Sequence, residues 1–140
     1  MKNISEINYI DGTTGIWRPH LQKRHDQQEA NKSQGHLAAR QLIKELYPTL
    51  QILEEVHIPI TKSEYGFLDF YLPLLRLAVE VNGGQHYKFN AHFHKDHRDF
   101  LYQQRRDKNK REWCSINNIK LVELDSTKDS RLWKQQILCS

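Results

Sequence analysis

Residues 66–81, GFLDFYLPLLRLAVEV, place apolar and polar side chains in alternation on both sides of Pro73-Leu74-Leu75-Arg76. A period of two belongs to strands, and a connection of about four residues joins antiparallel neighbours, so the stretch predicts a β-hairpin. The hairpin sets a register. With Leu72 opposite Leu77, Tyr71 faces Ala78 and Asp69 faces Glu80, and opposed side chains on one sheet face have Cβ atoms about 4.5–5.5 Å apart. A slip of two residues makes the pair diagonal, about 7–8 Å apart, and leaves both carboxylates on the same face.

The rest of the chain supplies a setting for that hairpin. At 140 residues the chain fits one domain with one core. Residues 1–32 are polar and weakly periodic, and read as a loosely packed N-terminal extension. Residues 33–140 read as the domain proper. Ser33 is placed to cap a helix whose apolar stripe is Leu37, Ala38, Leu42, Ile43, Leu46 and Tyr47, ending before Pro48. Val56, Ile58 and Ile60 alternate in a strand that Pro59 confines to a sheet edge. After the hairpin, a long polar helix from about Asp96 to Asn117 buries Phe100, Leu101, Trp113, Cys114 and Ile116. A strand over 118–124 and a helix carrying Leu132, Trp133, Ile137 and Leu138 close the order α-β-β-β-α-β-α. The class is α/β, with a mixed sheet of about four strands flanked by helices.

Charged residues make up 27% and apolar ones 38%, which leaves a modest core and a hydrated surface. No window approaches the ~18 apolar residues of a membrane span, and the first residues lack the basic-then-apolar pattern of a leader, so the expected location is cytoplasmic, away from membranes. Cys114 and Cys139, with no CxxC pair, suggest free thiols. The net charge of +4 is matched by the segment RRDKNKR, residues 105–111, alone. Arg105, Arg106, Lys108 and Arg111 are therefore candidates for phosphate contact, the other reading being a solvated helix face.

Opposed carboxylates repel, and a fold keeps such a pair chiefly where a cation sits between them. Mg²⁺ suits the arrangement because it takes one or two carboxylates and completes its shell with water and phosphate oxygens; Mn²⁺ is the substitute. The bland alternative is the wet face of an ordinary hairpin. Against it, the neighbours on that face, Phe67, Tyr71 and Ala78, are apolar or aromatic.

At this point the motifs FLDFYLPLLRLAVEVNGGQHY and RRDKNKREWCSINNIKLVEL, in that order, resemble the PD-(D/E)XK, restriction-endonuclease-like nuclease superfamily. The branch is that related to very-short-patch-repair and phage homing endonucleases, with its LDFY.P, ExDGxQH and RDxxKxxYCxxNNIxLIRI patterns. The match covers about residues 33–138. It implies a restriction-endonuclease-like core, a prokaryotic or phage-infected cell as the setting, and Mg²⁺-dependent hydrolysis of DNA phosphodiester bonds. Asp69 and Glu80 resemble the metal-binding acids, with the Val81 carbonyl a further ligand. Asn82 and His86 would position or activate water, and Lys110 would stabilise developing charge. Gln85 and Asp107 match secondary positions, and His36 stands near the start of the first helix, where the family often carries a glutamate. Asn82 occupies the place of the superfamily's commonest lysine, so the positive charge must come from Lys110 or His86.

Two other readings stay open. The nuclease fold with catalysis lost would be a DNA-binding or protein-interaction module. His86, His92, His94 and His97 would instead form a histidine-metal nuclease site. DNA is the expected partner in the main reading, with a homodimer or protein partner supplying specificity, since so short a chain has little room for a separate recognition domain.

Overall fold

The computed structural model describes residues 6–22, 33–83, 91 and 95–139. Among these residues, six strands and three helices follow the chain: β1 (Glu6–Asn8), β2 (Thr14–Ile16), α1 (Gln34–Leu46), β3 (Leu53–Pro59), β4 (Tyr65–Leu72), β5 (Leu77–Asn82), α2 (His97–Ile116), β6 (Lys120–Asp125) and α3 (Arg131–Leu138). The expected α-β-β-β-α-β-α order is present, preceded by a small hairpin. Strands β3-β4-β5-β6 form one sheet in that order. The first three are antiparallel and β6 runs parallel to β5, so the sheet is mixed. Pro59 ends β3, an edge strand, as its missing N–H requires.

The hairpin register is the one that alternation and loop length predict, with Phe70↔Val79, Tyr71↔Ala78 and Leu72↔Leu77 paired. A 3₁₀ turn, Pro73–Leu75, and Arg76 in the left-handed region (φ 50°) close it. Arg76 then donates to the backbone carbonyls of Asn117 and Asn118, tying the hairpin turn to the end of α2.

Two apolar layers cover the sheet. One joins Ala39 and Ile43 of α1 and Trp133 and Ile137 of α3 to Phe70, Leu72, Val79, Val122 and Leu124. The other joins Trp113 and Cys114 of α2 to Tyr71, Ala78, Leu68, Val56 and Ile58. Ser33 caps α1 by accepting the His36 amide at 3.1 Å. In the expected stripe of α1, Ile43 is buried and Leu42, Leu46 and Tyr47 pack against the core, whereas Ala38 is exposed and the buried places towards the start of the helix are taken by His36 and Ala39. In α2 only Trp113 and Cys114 are buried; Phe100 is half-buried, and Leu101 and Ile116 are exposed. Leu132 and Leu138 of α3 are likewise exposed.

Residues 6–22 are not a loose extension. Ile7 and Trp17 are buried in the second layer, where the Trp17 ring lies 5.0 Å from both Tyr71 and Trp113. Trp17 Nε1 donates to the His57 carbonyl at 2.8 Å. Asn117 accepts the Asn8 amide at 2.7 Å and donates to its carbonyl at 2.9 Å, so the hairpin's polar backbone is satisfied as it is buried. Trp17→Ala should therefore cost about 3–5 kcal/mol of stability in urea unfolding; a change near zero would mean that the segment is detached in solution.

Candidate active site

Strand β4 carries Asp69 at a break in two ladders. The β4–β5 ladder ends at Phe70↔Val79, and the β3–β4 ladder skips the rung between Glu54↔Phe70 and Val56↔Leu68. On the β3 side of that rung Glu55 is left-handed, φ 50°, a conformation a side chain adopts only under local constraint. The strand phase shifts there: Val56, Ile58 and Leu68 share the layer of Leu53 and Tyr71, which regular alternation would deny them. Asp69 uses the break. Its Oδ2 accepts the Val81 amide at 2.8 Å, which bends the carboxylate onto β5 beside Glu80.

Glu80 is 5% exposed, and Lys110 of α2 brings Nζ to 2.9 Å from its Oε1. That approach is a charge contact without hydrogen-bond alignment. Burial pushes the Glu80 carboxyl well above the usual carboxylate range, and the Asp69 charge adds to the shift against the pull of Lys110. Burial acts to lower Lys110, yet the carboxylates around it, Glu80 foremost and then Asp69 and Asp107, hold it above the ordinary lysine value. The two tendencies compete for one proton. Two carboxylates and one ammonium leave an excess negative charge in a dry place, so a proton on Glu80 governs, while Lys110 keeps its charge against Asp69 and Asp107.

Asn82, also buried, follows Glu80 by two residues on β5. Its carbonyl accepts the Ser126 amide at 2.9 Å and the Ser126 hydroxyl at 3.1 Å, which anchors the end of the strand. The sheet thus gathers Asp69, Glu80 and Asn82, and α2 delivers Lys110 to them. Val81 enters through its amide. Asp107 lies a turn before Lys110 and lines the adjoining cleft.

His36 is elsewhere. Its Nε2 sits 2.8 Å from Glu54 Oε1 and its ring stacks on Phe70 at 4.5 Å, on the face covered by α1. Arg40 Nε reaches the same Glu54 oxygen at 3.0 Å. Burial raises the Glu54 pKa, but the His36 and Arg40 hydrogen bonds outweigh it and hold that carboxyl below its usual value.

Arg105, Arg106, Lys108 and Arg111 are all exposed on α2, and Arg111 Nε is 3.0 Å from both oxygens of Glu123. Glu123 is the residue that sequence reasoning missed. It stands beside Glu80 in the parallel β5–β6 register, a second acid next to it on the sheet. The alternation of β6 was readable, but no local signal links residue 80 to residue 123. Cys114, beneath the cluster, has its thiol pushed up to about 12, first by burial and then by Glu80.

Gln85, His86, His92 and His94 lie outside the described residues, and His97 is the first residue of α2. Among the described residues no group of three or more His, Cys, Asp or Glu side chains is arranged to hold a metal. Two carboxylates do converge, with one of them buried, and that donor set is of the kind Mg²⁺ uses.

A glutamate whose folded pKa is raised stabilises the fold fully below its unfolded pKa of about 4.3, and that stability is lost as pH climbs through the folded value. Glu80→Gln, which mimics the neutral carboxyl, should accordingly stabilise the protein in EDTA, with a margin over wild type that grows from pH 5 to pH 8 in urea unfolding. Destabilisation across that range would show instead that Lys110 keeps Glu80 ionised.

No protein-family model and no solved structure matches the chain. Three viral proteins do, each described as uncharacterized. The chain is 47% identical over 73 residues to protein 307L of Invertebrate iridescent virus 6 and 42% identical over 69 residues to protein 033L of Invertebrate iridescent virus 3. Each match takes in 49% of this chain but only 37% and 35% of those proteins, so the chain spans about a third of their length. None of the three names states an activity. Among the described residues no helix is long and apolar enough to cross a membrane. Protein 094L of Frog virus 3 is 34% identical over 118 residues, 80% of this chain and 75% of that protein, and the chain belongs to its family.

Proposed function

We propose that this protein is a metal-dependent DNA endonuclease with a restriction-endonuclease-like core. The observation that carries the reading is the convergence of Asp69, Glu80 and Lys110, two acids and a cation from three separate elements, at the floor of an open cleft. A like-charge pair with one member buried is unfavourable for stability alone, and perturbed titrating groups beside a cleft favour a functional site.

Asp69 and Glu80, with the Val81 carbonyl as the further ligand that the family resemblance implies, would hold Mg²⁺ or Mn²⁺. Such an ion supplies charge to the scissile phosphate and lowers the pKa of a bound water. Lys110 supplies the positive charge that Asn82 lacks: its position against Glu80 lets it face a phosphate oxygen and stabilise the negative charge that develops there. Asn82 offers an amide to orient water. Glu80 must give up its proton to bind a cation, so metal affinity should rise with pH.

Arg106 lines the cleft from α2, and Arg105 and Lys108 are exposed on the same helix; in this reading the three contact phosphates and steer DNA towards the acids. Arg111 is left out of that role by its pairing with Glu123.

Plasmid cleavage with Mg²⁺ or Mn²⁺ tests the reading. Asp69→Ala and Glu80→Ala should each reduce cutting by about 10²-fold or more, and Lys110→Ala should act in the same direction; metal-dependent cutting that survives both acid substitutions would remove the assignment. If wild type binds DNA but never cuts it, the degenerate-module reading takes over. Neutralising Arg105, Arg106 and Lys108 to Gln should flatten the salt dependence of duplex binding, by about 0.9 in log–log slope for each phosphate no longer neutralised. An unchanged slope would return these residues to the role of a solvated helix face.

A further inference from the structure

The cleft that ends at Asp69 is walled by aromatic rings that the core does not use. Tyr65 and Phe67 precede Asp69 on β4, and all three line it. Tyr65 is 63% exposed and Phe67 50%. His57, the cross-strand partner of Phe67, stacks on Tyr65 at 4.9 Å, and Phe67 stands nearly perpendicular to both at 5.7 Å. The opposite wall is α2. Tyr102, 60% exposed, carries the Arg106 guanidinium 4.9 Å over its ring, and Gln103 and Asn109 lie beside it with amide groups.

Exposed rings on two facing walls, with cations along one rim, need an occupant that is flat, aromatic and anionic. The cleft is ≈ 570 Å³, within the ~300–1,000 Å³ of small-molecule sites and roomy enough for a nucleotide. A fully paired duplex keeps its base faces stacked on one another and cannot cover these rings. An unstacked base can, because every base has a π-face, and Arg adds a cation–π component. Glu64, on the cleft lining, opposes an anion there, which places the phosphates on the α2 side near Arg106.

We propose that the Tyr65/Phe67–Tyr102/Arg106 cleft holds an unstacked base of single-stranded DNA and presents the adjoining phosphodiester to Asp69 and Glu80. The preferred substrate is then a single strand, or a duplex bearing an unpaired tail, over an intact duplex. This deepens the nuclease reading and rests on DNA entering this cleft.

Fluorescence anisotropy in EDTA tests it with a labelled 20-nucleotide DNA strand, its blunt duplex, a duplex with a single-stranded tail and the equivalent RNA strand. Wild type should bind the DNA strand and the tailed duplex more tightly than the blunt duplex. Tyr65→Ala and Phe67→Ala should weaken binding of the strand by about 5- to 150-fold, the range that base–aromatic stacking supplies, with a loss on blunt duplex at least fivefold smaller. Tyr65→Phe and Phe67→Trp keep a ring and should restore strand binding. A 2-aminopurine base in the strand should change its emission on binding wild type and not on binding Phe67→Ala. Equal losses on strand and duplex, or no loss, would overturn the proposal, and tighter binding of RNA would overturn the assignment to DNA. Both rings are largely exposed, so a fold defect would be seen as a lowered Tm, and Phe67→Trp keeps the test decisive. The two readings fail separately: ring-dependent strand binding without metal-dependent cutting removes the nuclease reading alone, and cutting by a protein whose strand binding ignores the rings removes the base slot alone.

Discussion

Asp69 sits where one hydrogen-bonded ladder ends and another skips a rung, and its carboxylate takes up the amide of Val81. That one bond turns a strand residue into a fixed acid pressed against Glu80, and the rest of the molecule accommodates the result. Lys110 is held over the pair by a helix whose buried anchor, Trp113 and Cys114, lies one turn further on. Ahead of that anchor, Tyr102, Arg106 and Lys110 of the same helix line an open cleft, which ends at the charged pair.

The electrostatics of that floor follow from burial. An exposed pair of acids would be hydrated and of little consequence, but Glu80 has almost no access to water, so its charge depends on what stands beside it. One ammonium cannot satisfy two carboxylates, and a proton or a cation completes the balance. Cys114, sealed beneath, feels the same excess and remains a thiol. Glu54 shows the contrast on the other face: two donors, His36 and Arg40, suffice for one carboxylate, which stays ionised. The first cluster is unbalanced and the second closed, which is a physical reason to look for chemistry at Asp69 and Glu80 rather than at His36.

Much of this was legible in the chain. The period of two and the short loop specified the β4–β5 register to the residue, since a slip by one would expose Val79 and bury Glu80's neighbours on the wrong face. Ser33 announced α1, and Pro59 announced an edge. Other features were not legible because they are long-range. The ring stack of Trp17, Tyr71 and Trp113 joins residues from three parts of the chain, and a three-residue strand such as β1 carries too little pattern to reveal that it is buried. The α1 stripe was read correctly at Leu42, Ile43, Leu46 and Tyr47 but not at its start, where His36, polar by composition, is buried with a bond to Glu54. Charge density at 105–111 was visible, but not that Arg111, exposed like Arg105, Arg106 and Lys108, pairs with Glu123.

By itself, the amino-acid sequence determined the elements, their order and the register of the β4–β5 hairpin, because alternation, caps and loop length are local. Only the tertiary structure decided that Asp69 bends onto β5 beside Glu80 at a break in the ladders, that Lys110 closes over the pair, that Glu123 stands beside Glu80 and that the N-terminal hairpin belongs to the core. The last three depend on the parallel pairing of β5 with β6 and on where α2 comes to rest, and those are settled by packing between segments far apart in the chain.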